Sequence, residues 1–362
     1  MKTDNSHKYV ILTINPGSTS TKIALFQNEK KILSENIHHS EKELTEYYQI
    51  ADQYPFRMRA IEDFLTDNGI HPQSLSAIVG RGGLLHPVEG GTYRVNEKMV
   101  QDLTEQIRGE HASNLGGLIA YALAEKLGIP AFIVDPVVVD EMEDIARLSG
   151  SPVLPRKSIF HALNQKAVAR KAAAELGRSY FDINCIVVHL GGGITIGAHK
   201  KGRVIDVNNG LDGEGPYTSE RSGTLPTGDL ARYCFANVHR EFKVLRQIRG
   251  KGGIVAYLGT NDMKKVRVRV DNDDKQALLV YKGMAYQVAK YIGEMSVVLK
   301  GDVDAIVITG GIAYDEQFIN WIKEYIKHIA KVMVFPGEEE MEALAMGGLR
   351  VLRGEEKAKV YT

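Results

Sequence analysis

The sequence has few cysteines, no excess of charge of either sign and no long apolar run. Only Cys185 and Cys234 occur among its 362 residues, too few for a disulfide framework or a four-cysteine zinc site, so a reducing compartment is expected. Lysine plus arginine and aspartate plus glutamate each number 45, whereas a general nucleic-acid binder needs an excess of cations. No apolar run approaches the roughly 20 residues that span a bilayer, and residues 1–8 lack the apolar segment of a signal peptide. We therefore expect a soluble cytoplasmic protein with no nucleic-acid or membrane partner.

Two pairs of similar segments indicate an internal duplication. Residues 9–33 (YVILTINPGSTSTKIALFQNEKKIL) and 185–205 (CIVVHLGGGITIGAHKKGRVI) each read as strand, glycine-containing turn, strand, charged turn and strand. Residues 77–83 (AIVGRGG) and 305–311 (AIVITGG) each read as a buried strand that runs into paired glycines. Such patterns recur by chance in α/β proteins, but two of them in the same order favour duplication. We predict two α/β halves with a cleft between them.

Helical patterns separate and follow these strands. They cover residues 112–127, 158–176, 274–300 and 340–352. In the second of them Ser158 is the expected N-cap, because its hydroxyl can accept from the first free backbone amides. Strands that alternate with helices favour mixed sheets covered by helices. The stretch 150–155 (GSPVLP) is the expected domain boundary.

Three glycine-containing turns follow predicted strands and are candidate phosphate sites. They are INPGSTSTK at 14–22, HLGGGIT at 189–195 and TGGI at 309–312. Glycine lets the backbone approach a ligand closely, and hydroxyls and amides donate to anions. A Walker loop and a dinucleotide-binding fingerprint are both absent. The alternatives are a plain hairpin turn for the first, a bulge for the second and close helix packing for the third.

Two arginines and two histidines stand in contexts that suit an anion. Arg81 and Arg221 lie among glycines, and a guanidinium is permanently charged and forks onto carboxylates and phosphates. His161 lies in the first turn of a predicted helix, where the positive helix end favours an anion. His111, in GEHASN, is similar. The alternatives are surface salt bridges for the arginines and packing or surface positions for the histidines.

Carboxylates at predicted strand ends are candidate metal ligands. Asp135 ends the apolar run AFIVD, and residues 338–340 are three glutamates just before the last predicted helix. Carboxylates in such positions suit Mg²⁺. An acidic run is otherwise a solvated helix start. We expect His38 and His39 at the surface and assign them no role.

Taken together, these segments resemble the acetate and butyrate kinase family of the actin-like, sugar-kinase and heat-shock-chaperone superfamily. INPGSTSTK and HLGGGIT are similar to its phosphate segments, VITGGI to its adenosine segment, and GEHASN, FHALNQK and ERSG to its active-site segments. The resemblance covers almost the whole chain. It implies a duplicated ribonuclease H-like α/β fold (the actin-like ATPase fold) of two domains with an interdomain active-site cleft. Residues 1–153, with 340–362 packing back on them, would form the acyl-substrate side, and residues 154–339 the nucleotide-binding domain.

The resemblance also implies an activity, cofactors and residue roles. The expected reaction is reversible, direct in-line phosphorylation of a short-chain carboxylate by ATP with Mg²⁺, in a homodimer or larger homo-oligomer. The implied catalytic residues are Asn15, Arg81, Asp135, His161 and Arg221. The implied substrate contacts are Gly82, Gly83 and His111, and the implied metal ligands are Glu340, with Glu339 as runner-up, and Asp135. The implied nucleotide and phosphate contacts are Ser18, Thr19, Lys22, His189, Gly191, Gly192, Gly193, Thr309, Gly310 and Gly311.

The segment after Arg81 favours an acceptor longer than acetate. Acetate kinases carry bulkier apolar residues there, whereas Gly82 and Gly83 follow here and should leave room for an acyl tail. Each buried CH₂ contributes about 0.8 kcal/mol, so the two extra methylenes of butyrate could add roughly tenfold in binding. The runs GRGGLLHP and VDPVVVDEMED are also similar to butyrate and branched-chain acyl kinases. We expect butyrate, with acetate, propionate and branched acids as alternatives.

The reaction chemistry agrees with the polar residues present. A carboxylate is already ionised at neutral pH, so as a nucleophile it needs cations that reduce repulsion rather than a base. One rival is a sugar kinase on the same scaffold, in which Asp135 would be the base for a hydroxyl. Another is an ATP-switched binding protein such as a chaperone or filament subunit.

Overall fold

The chain forms two compact units, which we describe separately. The computed structural model describes residues 7–237 and 240–362. Unit 1 contains the chain up to Val139 together with Glu339–Thr362, and unit 2 is Asp140–Glu338. The C-terminal segment therefore belongs to the same unit as the N-terminal half of the chain.

The units divide earlier in the chain than the predicted boundary at 153/154. The segment just before that boundary is bonded to unit 2. The Glu143 amide donates to the Ile205 carbonyl at 2.9 Å. Just after it, the Arg156 guanidinium donates to the Asp206 carboxylate at 2.9 Å. These contacts are far apart in sequence, so the glycine and proline content of the stretch gave no sign of them.

Unit 1 is built on a seven-stranded mixed sheet. The strands are β1 (Val10–Pro16), β2 (Ser20–Gln27), β3 (Lys30–His38), β4 (Ala77–Gly80), β5 (Thr92–Arg94), β6 (Ala131–Val134) and β12 (Lys359–Val360). The helices are α1 (Glu41–Leu44), α2 (Tyr54–Asp67), α3 (Glu97–Thr104), α4 (Asn114–Leu127) and α13 (Glu340–Leu352). The strand order is β12-β5-β6-β4-β1-β2-β3. Strands β1 to β3 form an antiparallel meander, and β4 and β6 run parallel to β1.

Unit 2 is built on a five-stranded mixed sheet. The strands are β7 (Asn184–Leu190), β8 (Ile194–Lys200), β9 (Arg203–Val207), β10 (Ala305–Gly310) and β11 (Lys331–Pro336). The helices are α5 (Asp144–Arg147), α6 (Ala162–Glu175), α7 (Thr227–Ala236), α8 (Glu241–Arg249), α9 (Ile254–Leu258), α10 (Met263–Asp271), α11 (Lys275–Val298) and α12 (Glu316–Ile326). The strand order is β11-β10-β7-β8-β9.

The two sheets repeat one topology. The order β6-β4-β1-β2-β3 of unit 1 matches β11-β10-β7-β8-β9 of unit 2, with the same parallel and antiparallel pairs. Both meanders even carry a register shift between their second and third strands. Aligning Ala77 of β4 with Ala305 of β10 through their register partners makes Asn15 equivalent to His189. The predicted duplication is confirmed.

Each sheet also packs on a helix that follows the last strand of the other repeat. Helix α13 comes after β11 and packs on β1, β4 and β6 of unit 1. Helix α6 comes after β6 and packs on β7 and β10 of unit 2. Each helix therefore begins at the edge where the parallel strands of its sheet end, and this places the first residues of α13 and α6 beside the glycine-containing turns.

The predicted helices form, with one change at an N-terminus. Residues 112–127, 274–300 and 340–352 correspond to α4, α11 and α13. Helix α6 begins at Ala162, so the expectation that Ser158 caps it is wrong, and His161 takes the N-cap position. Ile159 lies outside the helix, and its carbonyl accepts the Gly210 amide at 2.9 Å. Among the described residues no helix is both long and apolar enough to cross a membrane.

A buried ion pair attaches the first residues of unit 2 to helix α6. The Glu141 carboxylate lies 2.9 Å from Lys166 Nζ and accepts the Val204 amide at 2.7 Å. We predict that Glu141→Ala lowers the free energy of unfolding by about 3–5 kcal/mol, because it leaves a buried cation without its counterion. Urea denaturation followed by circular dichroism measures this, with exposed Glu324→Ala in α12 as the control. A loss no larger than that of the control would contradict the prediction.

Candidate active site

Glu340 joins two other predicted site residues of unit 1. Asn15 lies near the end of β1 and Arg81 directly follows β4, and the carboxyl ends of these parallel neighbours share one sheet edge. Glu340 is the first residue of α13, which begins at the same edge. Its carboxylate accepts hydrogen bonds from Asn15 Nδ2 at 2.7 Å and from the Arg81 guanidinium. The structure therefore brings a carboxamide, a cation and a carboxylate into direct contact.

The three consecutive glutamates have different positions. Glu338 belongs to unit 2, where its carboxylate lies 3.1 Å from His189 Nε2. Glu339 takes the N-cap position of α13, and Glu340 is the residue that reaches Asn15. The geometry therefore favours Glu340 over Glu339 as the carboxylate of the unit 1 site.

His111 and Asp135 have local partners in unit 1. His111 Nδ1 lies 2.8 Å from Ser113 Oγ and accepts the Ser113 amide at 3.2 Å. Partial burial lowers the pKa of the His111 imidazole, and Arg81 lowers it further, so the ring is neutral at pH 7. Asp135 has a positive φ of 38° and accepts the Gly91 amide at 2.6 Å. One oxygen of this buried carboxylate therefore links the residue after β6 to the residue before β5.

Gly82 and Gly83 do not leave the open space that the sequence predicted. A Cβ on Gly82 would lie 2.5 Å from the Pro136 side chain, and one on Gly83 would lie 2.6 Å from the Asn114 backbone. Both glycines are buried. They allow the chain after β4 to pack closely against its neighbours, so the expected room for an acyl tail at their Cβ positions is wrong.

The turn between β1 and β2 is held from the inside by a buried arginine. Ser18 and Thr19 in the turn are exposed, as is Lys22 at the start of β2. The fully buried guanidinium of Arg57 donates to the carbonyls of Ser18 at 3.2 Å and Ser20 at 2.8 Å. Burial lowers the pKa of Arg57 to about 10, which leaves it charged at pH 7. A permanent cation therefore supports the turn that carries the predicted phosphate contacts.

The sequence interpretation missed Arg57 and misplaced His39. His39, expected at the surface, is buried, and its Nε2 lies 2.8 Å from Thr21 Oγ1, which also accepts from Arg57 at 3.0 Å. Burial lowers the pKa of His39, with Arg57 as the next cause. A signal for Arg57 was present, because it shares the apolar helical spacing of Ile61 and Leu65 in α2.

Two predicted histidines stack in unit 2. The rings of His161 and His189 are 3.8 Å apart between centroids and 16° from parallel. His189 Nδ1 lies 2.8 Å from Asn164 Oδ1, and its Nε2 faces the Glu338 carboxylate. His161 Nδ1 lies 2.9 Å from Thr195 Oγ1. Each ring is thus fixed by polar partners on unit 2.

The third glycine of HLGGGIT makes room for Arg221. A Cβ on Gly193 would overlap Arg221 Nη1, which donates to the Gly210 carbonyl. The Arg221 amide donates to Thr218 Oγ1 at 3.0 Å, and that hydroxyl donates to the Gly192 carbonyl at 2.6 Å. Burial lowers the pKa of Arg221, and its buried Nε has no hydrogen-bond partner among the described residues. An unsatisfied donor on a buried cation suits an anionic oxygen.

The third glycine-containing turn combines close packing with open space. Gly310 has a positive φ of 97°, and a Cβ there would lie 2.7 Å from the backbone nitrogen of Leu190. Leu190 ends the neighbouring strand β7, so the close neighbour is a strand and not the helix of the packing alternative. Thr309 is buried and donates to the Gly337 carbonyl at 3.0 Å. A Cβ on Gly311 would meet nothing within 4 Å. The turn between β7 and β8 contains the remaining predicted phosphate contacts, Gly191 and Gly192.

Glu340 has the exposure that a ligand of nucleotide-bound Mg²⁺ needs. No group of three or more histidine, cysteine, aspartate or glutamate side chains that could hold a metal occurs in residues 7–237 and 240–362. Mg²⁺ usually takes one or two carboxylates together with phosphates and water rather than a cage of side chains. The Glu340 side chain is 20% exposed, whereas Asp135 is 3% exposed. Of the two predicted ligands, Glu340 fits such a metal better.

The chain is similar to kinases of short carboxylic acids in sequence and in structure. The family described as the acetokinase family matches residues 152–361. Butyrate kinase 2 of Clostridium acetobutylicum is 57% identical over 354 residues, which cover 98% of this chain and 99% of that protein. The crystal structure of Porphyromonas gingivalis acetate kinase superposes with a TM-score of 0.76 at 19% identity, over 95% of this chain and 100% of that one. A propionate kinase from Francisella tularensis gives 0.72 at 20% identity, over 94% and 98%.

The similar structures identify the fold, and the similar sequences identify the family. The two structures show that the fold is that of acetate and propionate kinases, and the predicted actin-like ATPase fold class is confirmed. The sequence matches go further, because they cover more than half of the chain in one case and nearly all of it in the other. The chain belongs to the acetokinase family.

Proposed function

We propose that this protein phosphorylates butyrate with ATP, giving butyryl phosphate and ADP by direct in-line transfer to the carboxylate. The observation that carries the proposal is the 57% identity to a butyrate kinase over nearly the whole of both chains. The chemistry of the predicted residues supports it, since both reactants are anions and each unit offers a guanidinium among glycines. A base is not needed, because the carboxylate is ionised at neutral pH.

The unit 1 residues suit contact with the acceptor and the transferring group. The Arg81 guanidinium would bind carboxylate or phosphoryl oxygens as a permanent cation. Asn15 would donate from its amide to the phosphoryl group, and the neutral His111 would line the path of the phosphate. Glu340 holds Asn15 and Arg81 in place through the two hydrogen bonds that its carboxylate accepts. Phosphoryl transfer depends chiefly on such positioning and on electrostatics.

The unit 2 residues suit the nucleotide and the charge that develops during transfer. Arg221 has an unsatisfied buried donor that an oxyanion would satisfy. His161 would stabilise the transition state as a hydrogen-bond donor, with His189 stacked behind it. The backbones of the two unit 2 turns would approach the phosphates and the adenosine through their glycines.

The metal, the assembly and the location remain proposals. Mg²⁺ bound with the nucleotide would neutralise charge on the phosphate oxygens, and Glu340, with Asp135 as the second candidate, would be its protein ligand. The homodimer or larger homo-oligomer and the cytoplasmic location stay predictions.

Gly193→Ala tests the contact between the second turn and Arg221. We predict that the added methyl displaces the Arg221 guanidinium and lowers kcat by about 10²-fold, because small misplacements of positioning groups are costly. Gly293→Ala, at a position of α11 where a Cβ meets nothing within 4 Å, is the control. Wild-type kcat in Gly193→Ala, with circular dichroism unchanged, would contradict the assigned role of Arg221.

The proposed function is tested by trapping acyl phosphates with hydroxylamine. Purified protein is incubated with ATP, Mg²⁺ and straight or branched acids of two to six carbons, and the hydroxamate is measured. We expect hydroxamate formation with the largest kcat/KM for butyrate. ADP release with a panel of sugars but without hydroxamate from any acid would favour the sugar-kinase alternative and overturn the proposal.

A further inference from the structure

A line of hydrogen-bonded side chains leads from the interior of unit 2 to His161. Tyr180 Oη lies 2.8 Å from His199 Nδ1, and His199 Nε2 lies 3.0 Å from Gln165 Oε1. Gln165 Nε2 lies 2.8 Å from Thr195 Oγ1, which lies 2.9 Å from His161 Nδ1. The side chains before His161 are all buried, and three of them are 0% exposed. The proposed mechanism uses none of these four residues.

One backbone carbonyl fixes the direction of these hydrogen bonds. The Thr195 carbonyl oxygen lies 3.0 Å from the Gln165 side-chain amide and can only accept, so the atom facing it is the amide nitrogen. Gln165 Oε1 therefore faces His199, and His199 Nε2 carries a proton. Burial lowers the pKa of His199 well below its ordinary value, and the Lys166 cation lowers it further. The ring is neutral, so its Nδ1 accepts from the Tyr180 hydroxyl.

The same direction continues to His161. Thr195 Oγ1 accepts from Gln165, so its own proton must go elsewhere. Among its described contacts the available acceptor is His161 Nδ1. A buried hydroxyl whose proton has no acceptor destabilises the folded protein by about 1–3 kcal/mol. His161 Nδ1 therefore accepts, and the imidazole proton stays on Nε2, on the side of the ring away from Thr195.

We propose that this line of hydrogen bonds locks His161 as the neutral tautomer with its proton on Nε2, and that Thr195 is the residue that sets it. The catalytic consequence of this tautomer rests on the proposed function. With this tautomer His161 offers an N–H to a phosphoryl oxygen, whereas the opposite tautomer would present a lone pair that repels it. Thr195, Gln165 and His199 are positioning residues, and no proton moves along the line.

Nitrogen NMR of the ligand-free protein tests the tautomer directly. The full chain is labelled with ¹⁵N-histidine, and the signals lost in His161→Asn identify this ring. At pH 7 we expect a protonated Nε2 and an Nδ1 shift typical of an unprotonated nitrogen. A protonated Nδ1, in the opposite tautomer or in an imidazolium, would overturn the proposal.

Two substitutions of Thr195 distinguish the effect of its hydroxyl on the tautomer from the effect of its packing. Thr195→Val removes the hydroxyl and keeps the shape, whereas Thr195→Ser keeps the hydroxyl. We expect Thr195→Val to lose the single tautomer and to lower kcat about tenfold with little change in KM. We expect Thr195→Ser to keep the single tautomer and the wild-type kcat. Tyr281→Phe is the control, since it removes a buried hydroxyl bonded to Asp315 elsewhere in unit 2. Identical spectra and kcat in wild type and Thr195→Val would overturn the proposal.

The NMR spectra are recorded without turnover. The proposed tautomer of His161 and its proposed catalytic role can therefore be contradicted independently. The expected tautomer together with unchanged kcat in His161→Asn would remove the catalytic role of His161 and leave the lock in place. The opposite tautomer together with an inactive His161→Asn would overturn the lock and leave the catalytic role.

Discussion

Replacement of Arg81 by alanine is expected to lower kcat/KM for butyrate by at least about 10²-fold with the fold intact, because loss of one donor to a transition-state anion typically costs that much. The guanidinium lies at the sheet edge shared with Asn15, where it pairs with Glu340. Its charge would reduce the repulsion between the carboxylate and the γ-phosphate. Arg81→Lys should recover only part of the rate, since an ammonium lacks the planar two-pronged donor geometry.

A second arginine of unit 1 provides the matched control for Arg81. Arg353 also pairs with a glutamate, Glu29, and neither residue belongs to the predicted motifs. Hydroxamate assays on Arg353→Ala should give wild-type kcat/KM. Near-normal activity in Arg81→Ala would contradict the role assigned to Arg81, provided that circular dichroism shows both variants to be folded.

Arg221→Ala is expected to lower kcat by at least about 10²-fold for the same reason. The buried guanidinium has an unsatisfied Nε and lies against the Gly193 backbone. If Gly193 is glycine only to admit this side chain, Gly193→Ala should have no further effect in the Arg221→Ala background. Such a non-additive cycle is the signature of two residues that act through one contact.

The control for Arg221 is an exposed arginine of the same unit. Arg232 lies on α7 and pairs with Asp229 at 2.6 Å, and Arg232→Ala should leave kcat unchanged. Full activity in Arg221→Ala would contradict the account of unit 2. So would an additive loss in the double variant, because the methyl would then act on something other than Arg221.

The repeated topology could be predicted because it is encoded locally. An apolar run, a glycine turn and a second run can be recognised in each half without knowledge of its neighbours, and AIVGRGG and AIVITGG became the equivalent strands β4 and β10. The start of α6 could not be predicted, because the bond between Gly210 and Ile159 joins residues far apart in sequence. The division of the units before Asp140 also depends on contacts that local patterns do not show, such as Glu141 with Lys166.

The polar members of the site were easier to predict than the reasons for its glycines. Asn15 and Arg81 stand at recognisable strand ends, and both contact Glu340. A glycine can admit a ligand or a neighbouring protein atom, and only the packed structure distinguishes the two. At Gly193 the neighbour is Arg221, and at Gly83 it is Asn114. The sequence therefore misjudged the space after Arg81.

The line from Tyr180 to His161 could not be predicted from the sequence. Its residues come from α6, from β8 and from the segment before β7. His161, Gln165 and Thr195 stand in the segments FHALNQK and HLGGGIT, but neither segment indicates that they contact each other. His199 and Gln165 meet only because α6 packs on the sheet of unit 2. Buried hydrogen bonds of this kind depend on tertiary register, which local patterns do not encode.

The central claim is that an oxygen of the carboxylate attacks the γ-phosphorus of ATP. Butyrate labelled with ¹⁸O in both carboxylate oxygens is incubated with enzyme, ATP and Mg²⁺, and the product is cleaved with hydroxylamine, which attacks the acyl carbon and releases phosphate with the bridging oxygen. The account predicts that this phosphate carries one ¹⁸O, visible as an isotope shift in its ³¹P NMR signal. Unlabelled phosphate would contradict it, because the bridging oxygen would then have come from ATP.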